Sequence, residues 1–257
     1  MDISPDVVVL LSAKTWFGFD LDDTLHEFRE ASANASRSVF EAILEAQTAQ
    51  PDTNTSVTVT MDGLGKTYRD ILRSKTANVF TDGRTSDDYR RERFSHLLAT
   101  HNIQPTSKLL DQLLVVYRGS LRRALTLKAG ALQVLETLKA CRKKVIVVTE
   151  GPKDAQEWTV AALGLERYID ILVTTNEVGL SKVDGLFSAV LQKYNIAPGD
   201  MVYIGDNEQR DIVPARAAGI DTVLYDEKSD CQLNDPQTLQ LNSLSTLEYL
   251  VSYRKVV

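Results

Sequence analysis

From residue 145 onward, short apolar runs rich in β-branched residues alternate with segments of helical periodicity, and this alternation constrains the fold more than any other feature of the chain. Strands are expected at 145–149, 169–174, 201–204 and 222–225, with helices near 152–163, 184–194 and 211–218. Gly164 and Gly219 supply the helix stops, and Pro152 suits a first helical turn, where its missing N–H costs nothing. Ser245 or Thr246 is expected to cap a last helix carrying Leu247 and Leu250. Strands that alternate with helices join by right-handed crossovers into a parallel sheet. Their near-continuous apolar character calls for a sheet covered on both faces.

A first strand at 15–19 runs into Asp20, and there the rhythm breaks. Residues 28–125 read as purely helical. Val39, Phe40, Ile43 and Leu44 form one stripe; Leu110, Leu113, Leu114, Tyr117 and Leu121 form another, and residues 51–56 are a polar linker. The expected architecture is therefore an α/β, Rossmann-like, doubly wound parallel sheet core, residues 1–27 and 126–257, with an all-helical cap at 28–125 inserted after the first strand. Residues 7–11 are apolar but short, and acidic rather than basic residues precede them, so they read as a further strand and not as a signal peptide.

Charge divides at the same boundary. The insert holds 14 Lys/Arg against 11 Asp/Glu, net +3, and the remainder 15 against 24, net −9. An overall charge of −6 disfavours nucleic acid as a partner, since phosphate backbones call for clustered cations. No run approaches the roughly 18 apolar residues of a membrane span. Two cysteines exclude a disulfide framework and fit a reducing, cytoplasmic setting.

The chemistry-bearing residues cluster where strands end. Carboxylates at the carboxyl end of a parallel strand face the ligand crevice of an open α/β sheet. Phe19-Asp20-Leu21-Asp22-Asp23-Thr24 places two acids two residues apart, so one can attack while the other moves a proton. Gly205-Asp206-Asn207 ends another strand, with Asp211 one turn later; Asp206 is placed to reach a hard cation, and Asp211 to orient a neighbour. Thr149, with the amides of Glu150 and Gly151 near a helix start, offers an anion site. Lys182 follows a strand and can balance phosphoryl charge. His26 lies just past the first acids and can line the site, while His96 and His101 read as ordinary residues of the insert. Phe80, Tyr89, Phe94 and Tyr117 read as core of the insert, and Arg69, Arg73, Arg84, Arg90, Arg91 and Arg93 as its surface cations.

In this order, Asp20-x-Asp22-x-Thr24, Thr149, Lys182 and Gly205-Asp206-x-x-x-x-Asp211 resemble the four motifs of the haloacid dehalogenase (HAD) superfamily, over the whole chain. Val183 stands where relatives often have proline, and Glu150 where they often have asparagine. The resemblance implies that Asp20 is the nucleophile and Asp22 the general acid and base. Mg²⁺ would be bound by Asp20, the Asp22 backbone carbonyl and Asp206. Thr149, Glu150 and Lys182 would hold the substrate phosphate, with Asp211, Thr24 and Asn207 in support. Dehalogenases of the superfamily lack the second aspartate, so Asp22 implies a leaving group that needs a proton, and hence phosphoryl transfer. The implied protein is a phosphatase of a small organic phosphate, monomer or homodimer. The residues leave open a sugar or glycolate phosphate, a nucleoside monophosphate or a prenyl phosphate. A phosphomutase and a non-catalytic binding protein on the same scaffold are the alternatives.

Overall fold

The computed structural model describes residues 3–49, 59–74 and 80–252. Six parallel strands form one sheet, β1 (Trp16–Phe19), β2 (Lys144–Thr149), β3 (Ile171–Thr174), β4 (Met201–Gly205), β5 (Asp221–Tyr225) and β6 (Leu239–Leu241), in the spatial order β3-β2-β1-β4-β5-β6. The first strand is thus central. Phe19 aligns with Val147 of β2 and Ile204 of β4, which sets Asp20 among the ends of three strands. The Asp20 amide extends that ladder by donating to the Ile204 carbonyl at 2.9 Å.

The central strands β1, β2 and β4 bury both faces. On one side Phe17, Phe19, Val145, Val147, Val202 and Ile204 pack with side chains of α1 (Pro5–Ala13), α6 (Ala131–Ala140) and α11 (Leu244–Ser252). On the other, Ile146, Val148, Met201 and Tyr203 pack with α9 (Leu186–Tyr194) and α10 (Val213–Ala217). The doubly wound core expected from the apolar strands is therefore present, completed by α7 (Lys153–Ala162) and the single turn α8 (Thr175–Val178).

The insert contains α2 (Phe28–Ala49), α3 (Met61–Ser74), α4 (Ser86–Thr100) and α5 (Ser107–Ala124). Val39, Phe40 and Ile43 of α2 meet Leu110, Leu113, Leu114, Tyr117 and Leu121 of α5 in a hydrophobic cluster separate from that of the sheet. The stripes read from the sequence are its walls. The 51–56 linker lies outside the described residues. Two hinge segments join insert to core side by side: the Glu27 amide donates to the Thr126 carbonyl, and Lys128 pairs with Glu27 and Glu227.

Several local expectations are corrected. Residues 7–11 are helical, within α1: Ser4 accepts from the Asp6 amide, Pro5 sits in the first turn, and Val7 and Leu11, four apart, turn one face inward. The last helix begins earlier than expected, and Ser243 rather than Ser245 or Thr246 holds its start, accepting from the Ser245 amide. The segment after β4 opens with a wide π-type turn, Glu208–Ile212, before α10. Phe94 and Tyr117 are buried in the cap, but Phe80 and Tyr89 are half-exposed and stack edge to face, with Arg93 over Phe80 and Arg84 over Tyr89. Cys141 and Cys231 are free thiols.

Candidate active site

After Asp20 the chain must leave the strand at once to bring a second carboxylate to the same crevice. Asp23 adopts the left-handed conformation (φ 64°), which aspartate tolerates better than most residues, and its amide donates to the His26 carbonyl at 2.8 Å. The resulting tight loop places the Asp22 carboxylate between two partners. His26 Nε2 lies 2.8 Å from Oδ1, and Gln156 Nε2 donates to Oδ2 at 3.3 Å. His26 and Gln156 are both buried. Gln156 projects from α7 over Gly151, where a Cβ would lie 2.3 Å from its amide nitrogen; only glycine allows that approach.

Lys182 sits in the single turn Lys182–Asp184, and its side chain is 2% exposed. Its ammonium donates to Asp20 Oδ1 and Asp211 Oδ1, each at 2.5 Å. Burial alone would depress a lysine pKa, but the two carboxylates outweigh it and hold this one well above the ordinary value. Burial raises the Asp20 carboxyl well above the usual range, although the Lys182 charge works against the rise. Asp211 is further fixed by the Asn207 amide, 3.1 Å from Oδ2, and lies near the Tyr203 hydroxyl, which donates to the Val148 carbonyl at 2.8 Å. Gly205 makes room for this, since a Cβ there would stand 2.5 Å from the Asp211 side chain. Asn207 Oδ1 accepts from the amides of Gln209 and Arg210, capping the turn that carries Asp211.

Asp20, Asp206 and Asp211 can each present an oxygen such that all lie within 4.8 Å of one another. Hard oxygen donors of this kind suit Mg²⁺, which takes few carboxylates and keeps other positions for water and phosphate oxygens. Burial raises the Asp206 carboxyl above its ordinary range, and the Arg29 charge works against the rise. The Thr149 hydroxyl is buried without a hydrogen-bond partner, as a donor reserved for a ligand oxygen would be.

Not every expected residue faces this crevice in the expected way. The Glu150 carboxylate accepts from the Lys182 amide at 3.1 Å and pairs with Arg210, so it braces the Lys182 turn. The Gly151 amide donates to Thr175 Oγ1 at 3.2 Å, and α7 starts two residues later. Thr24 is fully buried with its hydroxyl unpaired. Sequence reading passed over Gln156, Tyr203 and Arg29. The first two were hidden by their dependence on tertiary approach; Arg29, in the first turn of α2, had the visible signal of a cation beside an acidic loop.

The cap meets the core across the crevice. Asp154, in the first turn of α7, accepts from the Ser86 amide at 2.9 Å and the Ser86 hydroxyl at 2.7 Å at the start of α4. Asn176 of α8 donates to the Arg84 carbonyl at 3.1 Å. Beside the Ser86 contact is a cleft of about 360 Å³ bordered by Arg90, Arg118, Arg122 and Trp158.

The haloacid dehalogenase-like hydrolase family model matches residues 15–219, and the chain belongs to that family. It is 26% identical over 240 residues to a glyceraldehyde 3-phosphate phosphatase of Methanocaldococcus jannaschii, covering 92% of this chain and 96% of that one. It is 26% identical over 215 residues to a ribulose-1,5-bisphosphate 5-phosphatase of Halopiger xanaduensis, covering 82% and 85%. The magnesium-bound structure of the HAD-hydrolase YfnB from Bacillus subtilis superposes with a TM-score of 0.65 at 21% identity, covering 93% of this chain and 99% of that one.

Proposed function

We propose that the chain is a Mg²⁺-dependent phosphoric monoester hydrolase that acts through an aspartyl phosphate on Asp20. The observation that carries this reading is the Asp22 carboxylate, held by His26 and Gln156 in the loop that follows Asp20. A displaced alkoxide needs a proton, and a held carboxyl group at that place can supply it.

Asp20 attacks phosphorus and the ester oxygen leaves with the proton of Asp22. The same carboxylate then takes a proton from the water that hydrolyses the acyl phosphate. Lys182 opposes the effect of burial on Asp20 and aims it, and with the Thr149 hydroxyl receives the phosphoryl oxygens. Asp211 holds Lys182 in turn. Asp20, Asp206 and the Asp22 backbone carbonyl would hold Mg²⁺, whose charge screens the repulsion between two anions.

The Methanocaldococcus jannaschii and Halopiger xanaduensis relatives are named for a triose phosphate and a pentulose bisphosphate, which favours a short sugar phosphate over a nucleotide or a prenyl phosphate. Release of inorganic phosphate from a panel of such esters, with Mg²⁺ and with excess chelator, tests the reading. Stoichiometric release that chelation abolishes is expected. Phosphate retained in an isomeric ester would instead indicate a mutase, and full activity in chelator would remove the metal from the mechanism.

A further inference from the structure

Arg29 occupies the second position of α2, where the chain enters the cap. Its Nη2 donates to Asp206 Oδ2 at 2.7 Å, its Nε lies 3.2 Å from Asp23 Oδ2, and its amide donates to Asp23 Oδ1 at 3.0 Å. The arrangement is lopsided. The Arg29 side chain is 72% exposed, whereas Asp206 and Asp23 are only 15% and 11% exposed. Two desolvated carboxylates require a cation, but a guanidinium so open to water loses little by leaving them. Asp206 also belongs to the three-carboxylate group able to hold a metal ion. A guanidinium and a divalent ion on one carboxylate repel each other, so the two compete.

We propose that Arg29 is a placeholder cation, which neutralises Asp206 while the metal site is empty, yields to the divalent ion, and so links metal loading to the first turn of the cap. The inference rests on the assignment of Asp206 as a metal ligand. Because Arg29 is anchored to the hinge loop through its amide and Asp23, its release frees the side chain without unravelling the helix start.

Calorimetric titration of metal-stripped protein with Mg²⁺ alone, without substrate, tests this. Arg29→Gln is expected to bind Mg²⁺ about two- to five-fold more tightly than wild type, the scale of one exposed ion pair. In chelator the same variant should melt lower than wild type, and saturating Mg²⁺ should close that gap. Arg210→Gln is the control, because Arg210 pairs with Glu150 rather than with Asp206. It removes the same charge near the site and should shift affinity much less. Equal shifts in the two variants would mean a general field effect and overturn the proposal, as would wild-type affinity in Arg29→Gln. Asp206→Asn separates the underlying assignment: if it binds Mg²⁺ as wild type does, Asp206 is not a ligand, and the proposal falls with it. If Asp206→Asn loses binding while Arg29→Gln is unchanged, only the placeholder role fails.

Discussion

His26 Nε2 lies 2.8 Å from Oδ1 of Asp22, with the imidazole fully buried and edge-on to Phe28, 5.9 Å between ring centroids. A buried ring that cannot swing away fixes the carboxylate it touches. Asp22 is thus presented in one orientation, with the Gln156 amide closing its other oxygen.

Asp22→Asn should separate the two halves of the reaction. General acid–base groups contribute about 10²–10⁴-fold, so the loss should be large for an alkyl phosphate and smaller for a nitrophenyl phosphate, whose leaving group needs little protonation. Rapid-quench measurement of phosphoenzyme formation checks this. Equal slowing for both substrates would show that Asp22 is not the proton donor.

Asp20→Asn removes the carboxylate proposed to attack phosphorus but keeps a side chain of the same size. Turnover should fall to background and no acid-stable phosphoprotein should accumulate from any ester. Mass spectrometry of quenched enzyme reads the outcome, and a retained phosphoryl adduct would place the nucleophile elsewhere.

Lys182→Met should destabilise more than it would on a surface. It leaves Asp20 and Asp211 facing each other in the core without a counter-charge. Breaking a buried ion pair from one side typically costs about 3–5 kcal/mol. Urea denaturation in chelator measures it. Asp211→Asn in the same background should recover part of the loss; no recovery would mean that the cost comes from packing alone.

The Lys182 ammonium gives the metal-free protein an alkaline limit. Its folded pKa is well above the ordinary lysine value, so the folded state binds the proton more tightly than the unfolded chain does. That stability is fully present below about pH 10, near the unfolded lysine pKa, and is lost as pH rises toward the folded value. The buried Tyr203 phenol, also held well above its ordinary value, adds to the loss in the same direction. Melting temperatures in chelator across pH 8–11 should fall at the alkaline end, and less steeply in Lys182→Met. Parallel curves would refute the assignment.

Asp154→Ala removes both hydrogen bonds to Ser86 and should loosen the docking of cap on core. Each such bond contributes about 1 kcal/mol, so KM should rise several-fold while the phosphoryl chemistry itself is preserved. Small-angle scattering should show a larger radius of gyration in the variant. Unchanged KM and unchanged scattering would show that the clasp does not hold the cap.

The four strand-end clusters could be read from the sequence because each needs only an apolar run followed by a polar residue. The cap stripes were legible for the same reason: helical spacing alone defines them. Residues 7–11 misled because Val7, Val8 and Val9 have strong strand preference, whereas Ser4, Pro5 and burial of Val7 and Leu11 decide for a helix. β6 escaped notice because three residues with Gln240 in the middle carry almost no periodicity; pairing with β5 makes the strand. The partners of Asp22 divide similarly. His26 lies four residues away and was visible, while Gln156 reaches Asp22 only through an approach that Gly151 permits.

The central place of β1 also governs how the molecule is made. Its neighbours β2 and β4 begin 128 and 185 residues further along the chain, at Lys144 and Met201 against Trp16. Pairings of such long range are slow to form, while helices fold locally. On the ribosome the whole cap emerges before β1 has any strand to join, and Asp20 waits for Lys182 to pair its carboxylate and for Ile204 to receive its amide. Closure of the strand-end site is thus a late event for the nascent chain, and a truncation that removes β4 leaves β1 without one neighbour and Asp20 without the Ile204 carbonyl and Asp206.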